Sequence, residues 1–393
     1  MKKALLFLAC VIMIIAIVFI IVRPKEKDQP RETAKKVSGI SFLDAPSKSK
    51  TIVDVNILED IKIARKILER ERAGYTTVDE KKWGYAGKGK KHFWIEKKLK
   101  SYNVLLAARD VNSKIIRIVK FNSDGNSVTK GFIVNYDQSN GVNTEFNIVY
   151  PEGYVVLAIK RVVSKGNGFE EVVYTPFTEE LNIPEIRKMG LAYLNSNLQK
   201  AQTDLRESKV ISKARSGLVS DAIPTDVALI LSIIEHIDPA KIKTVPIEQL
   251  INRVLVIVGL NKEQAFRYSI SKAGARGLFQ FIPLTYSKII VQYPKANLVR
   301  DFKTGMDNHS NAAMASLLLL DSDLSVLSKN ARQILWKDVR EAGRYLASSY
   351  NCGAGRTEIL MDKYGKLWTK KVPLETVSYL KKFDLTWEVL SRG

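Results

Sequence analysis

Apolar and polar positions along this chain fall into stretches of different period, and each period predicts a different element. Residues 4–22, ALLFLACVIMIIAIVFIIV, are apolar without interruption after Lys2 and Lys3. About 20 such residues cross a hydrocarbon layer as a helix, so the run predicts a transmembrane signal anchor over 1–22. It passes straight into Arg23, without the short core and small-residue cleavage site of a removable signal peptide. The next stretch, 23–50, is polar, holds Lys, Asp, Pro and Ser, and predicts a linker.

From 54 to 72, Ile57, Ile61, Ala64 and Ile67 recur at helical spacing. The pattern then shortens. SYNVLLAARD, KIIRIVKF, VTKGFIVNYD and YVVLAIKRVV are β-branched or aromatic runs separated by turn chemistry such as NSDGNS. These runs predict a small antiparallel β-rich accessory domain, 51–180 with its leading helix. Helical periodicity resumes over a connector at 181–214 and continues through a last region, 215–393. No internal repeat interrupts this order.

Charge and cysteine content narrow the classes. The chain of 393 residues carries a net charge of +21, which favours polyanionic partners such as anionic lipid or acidic wall polymers. The basic residues do not read as an aromatic-lined nucleic-acid groove, so no nucleic-acid partner is expected. Two cysteines, Cys10 and Cys352, and three histidines, in no metal-ligand spacing, predict neither a metal nor a cofactor.

Candidate chemistry sits in the last region. IPTDVALILSIIEHIDP offers Thr225 as an N-cap and Asp226 in the first turn. Val227 to Ile234 then form a helix apolar on nearly all sides, hence buried. Glu235 ends that run, where desolvation raises a carboxyl pKa toward neutrality; a Glu pointing outward beside His236 is the alternative. SISKAGARGLFQFIP, 269–283, combines two glycines with a lone Gln in an apolar run, an odd composition for either a core helix or a surface loop. REAGRYLASSYNCGAG, 340–355, reads as a helix closed by glycines, so Tyr350 and Asn351 stand at a helix end.

In this order, IIEHID, SKAGARGLFQFIP, YNCGAGR and ETVSYL resemble the catalytic domain of lytic transglycosylases of the soluble-transglycosylase type. The resemblance covers about 215–385. It implies a goose-type, lysozyme-like, all-α catalytic domain there; with the patterns upstream the whole chain reads as α+β: an N-terminal transmembrane helix, a small antiparallel β-rich domain and that catalytic domain. The resemblance also implies cleavage of the β-1,4 bond between N-acetylmuramic acid and N-acetylglucosamine in peptidoglycan, leaving 1,6-anhydro ends. Glu235 would act as acid and then base. Ser271, Gln280, Tyr350 and Asn351 would bind substrate, with Tyr350 close to Glu235. Gly274 and Gly277 would let glycan or backbone approach, Glu375 would be structural, and Leu278, Phe279, Phe281 and Ile282 would anchor the segment.

Some features depart from the family pattern. His236 stands where Ser is common, and an extra segment, 239–266, separates Glu235 from Ser271. A helix over 246–258 in that segment would cover the groove. Glu248 and Glu263 in it are candidates for a second carboxylate, as a hydrolysing muramidase would need. A non-catalytic peptidoglycan-binding scaffold is a further alternative. The tripeptides of penicillin-binding enzymes also occur, but in the wrong order. Lysines flank 4–22 on both sides and leave orientation open. A peptidoglycan substrate would place the protein as single-pass in the inner membrane through 4–22, facing the periplasm or exterior. The β-rich domain would meet an envelope protein partner.

Overall fold

The computed structural model describes residues 56–391 apart from 87–89, 124, 137–142, 166–167 and 336. Its first helix, α1 (Ile57–Arg70), buries Ile57, Ile61, Ala64 and Leu68 as one stripe. Leu68, rather than the half-buried Ile67, completes that stripe. Seven strands follow among the described residues: β1 (Tyr75–Ala86), β2 (Lys90–Asp110), β3 (Ile116–Asn122), β4 (Ile133–Tyr136), β5 (Phe146–Tyr150), β6 (Tyr154–Lys165) and β7 (Gly168–Tyr174). All pairings are antiparallel.

β2 carries two ladders in succession. Its first part, to Tyr102, pairs with β1. From Asn103 onward it lies between β3 and β6, and β7 closes the far side of β6. β4 and β5 form a separate small sheet. The half of β2 that enters the core is uniformly apolar (Val104 to Ala108, all buried), as a strand covered on both faces must be. One cover is α1, which packs against β6 and β2. Lys160 of β6 donates from Nζ to the carbonyls of Leu68 (3.1 Å) and Glu71, satisfying the helix end.

The helical body comprises α2 (Pro184–Glu207), α3 (Val219–Ala222), α4 (Thr225–Ile234), α5 (Ile247–Asn261), α6 (Pro283–Gln292), α7 (Phe302–Asp307), α8 (His309–Val326), α9 (Lys329–Leu335), α10 (Val339–Cys352), α11 (Ala354–Tyr364) and α12 (Leu374–Ser391). α4 is buried from Val227 to Ile234 and packs against α2, α5, α8, α10 and α12. Pro224, not Thr225, occupies its N-cap, and Thr225 is its first helical residue. Sheet and helical body share one contiguous hydrophobic core.

The expected α+β fold class with a transmembrane helix needs correction, and so does the single-pass placement in the inner membrane that rested on it. Among the described residues no helix is long and apolar enough to cross a membrane. The most apolar, α4, has 10 residues and spans about 15 Å, half a hydrocarbon layer. α5 has 15 but carries Asn252 and Arg253. Both spend their apolar surface on the shared core. The run 4–22 and the linker 23–50 lie outside the described residues. The described fold is mixed α/β, with antiparallel sheets and twelve α-helices.

Candidate functional site

Glu235 follows the last residue of α4 and is half-buried. Its Oε1 accepts a hydrogen bond of 2.5 Å from the Tyr379 hydroxyl of α12. Desolvation raises its pKa to about 7, with the charge of Glu375 adding to the rise. The Tyr379 hydrogen bond and the Lys382 ammonium pull the other way. Lys382 is buried one turn beyond Tyr379 and donates to the carbonyls of Ile234 (2.7 Å) and Ile237 (3.2 Å). It therefore closes the end of α4 and fixes the backbone on both sides of Glu235.

His236 turns the other way. Its ring stacks on Phe266 at 3.5 Å, and Nε2 lies 2.9 Å from the Leu278 carbonyl. A carbonyl only accepts, so Nε2 carries the proton. Burial lowers the imidazole pKa to about 3, which keeps the ring neutral. Tyr350, at the end of α10, donates to the next carbonyl, Phe279 O, at 2.5 Å. Two side chains from separate helix ends thus hold consecutive carbonyls of the 269–283 loop beside Glu235.

The loop holds itself as well. Ser271 N donates to Ala275 O (2.9 Å) and its hydroxyl accepts from Ala275 N (3.0 Å), closing an exposed turn. Gly274 and Gly277 have φ of +79° and +76°. At Gly277 a Cβ would come within 2.8 Å of Met306 O, so only glycine fits. The Gln280 amide folds back to Gly277 O (2.8 Å) and Ser269 O (3.3 Å). Arg276 is buried on Asp307 at 2.9 Å, and Asp307 also takes Arg267. Leu278, Phe279 and Phe281 anchor the loop in the core, whereas Ile282 is 39% exposed.

The remaining expected residues separate into two groups. Asn351 Oδ1 accepts from Thr376 of α12 at 2.7 Å, which ties the α10 end to the ETVSYL segment. Glu375 is exposed and near enough for its charge to raise the Glu235 pKa. Glu248 stands in the first turn of α5 and Glu263 beyond its end. Neither figures among the charges acting on Glu235. Glu263 instead lines a cavity of about 640 Å³ with Tyr193, Lys200 and His309. The carboxylate that Glu235 senses is therefore Glu375.

Sequence reasoning did not assign Tyr379, Lys382 or His236 a role at the site. The signal for the first two lay in the spacing of Glu375, Tyr379 and Lys382, which puts three polar groups on one face of α12. Among the described residues no cluster of three or more His, Cys, Asp or Glu side chains could hold a metal ion. Compared with known proteins, the chain matches no family model, no curated protein and no solved structure.

Proposed function

We propose that this protein is a peptidoglycan lytic transglycosylase with Glu235 as its single acid and base. The observation that carries the reading is the half-buried carboxyl of Glu235, its pKa raised to about 7, at the meeting point of the four motif segments. A carboxyl with that pKa holds a proton in neutral solution and releases it readily, as proton transfer to a glycosidic oxygen requires. Tyr379 occupies Oε1 as a donor, so the mobile proton belongs on Oε2.

In the first step the Glu235 proton passes to the oxygen between N-acetylmuramic acid and N-acetylglucosamine as that bond breaks. The carboxylate then takes the proton of the muramoyl 6-hydroxyl as its oxygen bonds to the anomeric carbon. Atoms and charge balance without water or a second carboxylate. The glycan enters beside the loop whose carbonyls His236 and Tyr350 hold.

The test is mass spectrometry of the material that the full-length protein and its Glu235→Gln variant release from purified sacculi. Anhydro-muramoyl products should appear, with the rate falling about 10²- to 10⁴-fold in the variant, the usual weight of a general acid–base group. Reducing muramoyl ends would instead mean hydrolysis by a muramidase. Binding to sacculi without any release would leave a non-catalytic scaffold. Either result overturns the proposal.

A further inference from the structure

β1 and the first part of β2 leave the main sheet as a two-stranded ribbon. Among the described residues each strand there is paired only with the other, and the 12 residues of β1 reach about 40 Å. The sequence expectation that basic residues are not interleaved with aromatics fails in this segment, which reads KKWGYAGKGKKHFWIEKK over 81–98.

The register sorts these residues onto two faces. Pairing of Trp83 with Phe93 and of Lys81 with Ile95 places those four side chains on one face. Lys82, Trp94, His92 and Lys98 share the other. On the first face Lys81 Nζ lies 4.5 Å and 4.0 Å from the Trp83 and Phe93 ring centroids. On the second, the Trp94 ring lies across Gly84, where a Cβ would come within 2.9 Å of it. Yet all four apolar side chains remain open to solvent: Trp83 61%, Phe93 46%, Trp94 49% and Ile95 64%. Residues 79–100 carry eight lysines against Asp79, Glu80 and Glu96.

A rigid partner with a flat surface would engage one face and leave the other in water. A nucleic-acid platform likewise needs its aromatics on one side. Here Trp83, Phe93 and Ile95 project from one face and Trp94 from the other at the same level, flanked by lysines along the same strands. An environment that surrounds the ribbon and is negatively charged accommodates all of them together. We propose that this ribbon inserts into the headgroup region of an anionic lipid bilayer. Trp83, Phe93, Trp94 and Ile95 occupy the boundary with the acyl chains, and the lysines meet lipid phosphates with their stems in the apolar layer. The proposal does not depend on the chemistry of Glu235.

The experiment mixes full-length protein with phosphatidylcholine vesicles, with or without phosphatidylglycerol, whose acyl chains carry bromine to quench nearby tryptophan. Trp336, Trp368 and Trp387 lie outside the ribbon, so a Trp83→Phe/Trp94→Phe protein keeps the apolar surface and removes only the reporters. Quenching is expected in the anionic vesicles, with most of it lost at high salt, without phosphatidylglycerol, or in the double Phe variant. No quenching in anionic vesicles overturns the proposal. Undiminished quenching in the double variant does the same, because the signal then arises elsewhere. A tryptophan response to single-stranded oligonucleotide but not to vesicles would assign the ribbon to nucleic acid.

Discussion

Glu235 stands where an apolar helix ends, and its proton is linked to folding. In the unfolded chain its carboxyl titrates near 4.5, and in the folded protein near 7. Between those values the folded state holds a proton that the unfolded state has released. The contribution to stability is therefore fully present below about pH 4.5 and is lost as pH rises through 7. Glu235→Gln removes the titration while keeping the shape. Relative to the native protein, the variant should gain stability from pH 4.5 to 7 and hold a plateau above, on the order of 2 kcal/mol. Melting curves of both proteins between pH 4 and 9 test this; a difference independent of pH would contradict it. Lys382 tempers the rise by its charge, although its Nζ is directed at the Ile234 and Ile237 carbonyls rather than at the carboxyl.

At the level of elements, the 239–266 segment shows what local pattern can and cannot disclose. A helix was legible there, and α5 runs from Ile247 to Asn261. The expected cover over a groove was not borne out in position: α5 buries Ile251 and Val254 to Gly259 and crosses α2 in the core. The run VLVIVGL is apolar all round, which is the mark of a buried helix. The crossing itself was not legible, because it depends on two glycines far apart in sequence. A Cβ at Gly190 would lie 2.0 Å from Leu255 O, and one at Gly259 would lie 2.5 Å from Ile186 O. Backbone cannot yield as a flexible side chain can. Gly190→Ala should therefore cost about 3 kcal/mol or more in a urea titration. Gly355→Ala, at an exposed helical glycine with open space around its Cα, should be neutral or slightly stabilising. Equal midpoints for the two variants would refute a close crossing.

Across the whole molecule, the sheet and the helical body are joined by polar groups that no local pattern marks. Apolar period separates strands from helices because each period is a property of neighbours in sequence. The seam instead joins residues far apart along the chain, as the Glu235–Tyr379 hydrogen bond does at the site. Asn261 ends α5 and behaves as a backbone mimic for the strand side. It accepts from Thr175 N at 2.9 Å and donates to Thr175 O at 2.8 Å. Arg65 of α1 reaches the same point, bonding Asn261 Oδ1 at 3.2 Å and Gln264 Oε1 at 3.2 Å. Nearby, Asn143 Nδ2 donates to Ser269 at the start of the candidate site loop, and Tyr174 holds Asn143. Asn261→Ala would leave the buried Thr175 amide and carbonyl without these partners and Arg65 with one acceptor fewer. The cost of such orphaned groups is about 2–4 kcal/mol. Amide exchange in peptides covering 171–177 should accelerate, because the seam opens before the core of either half. If exchange there matched the native protein, water or neighbouring groups would be replacing the Asn261 amide, and that side chain would not be what holds this part of the seam closed.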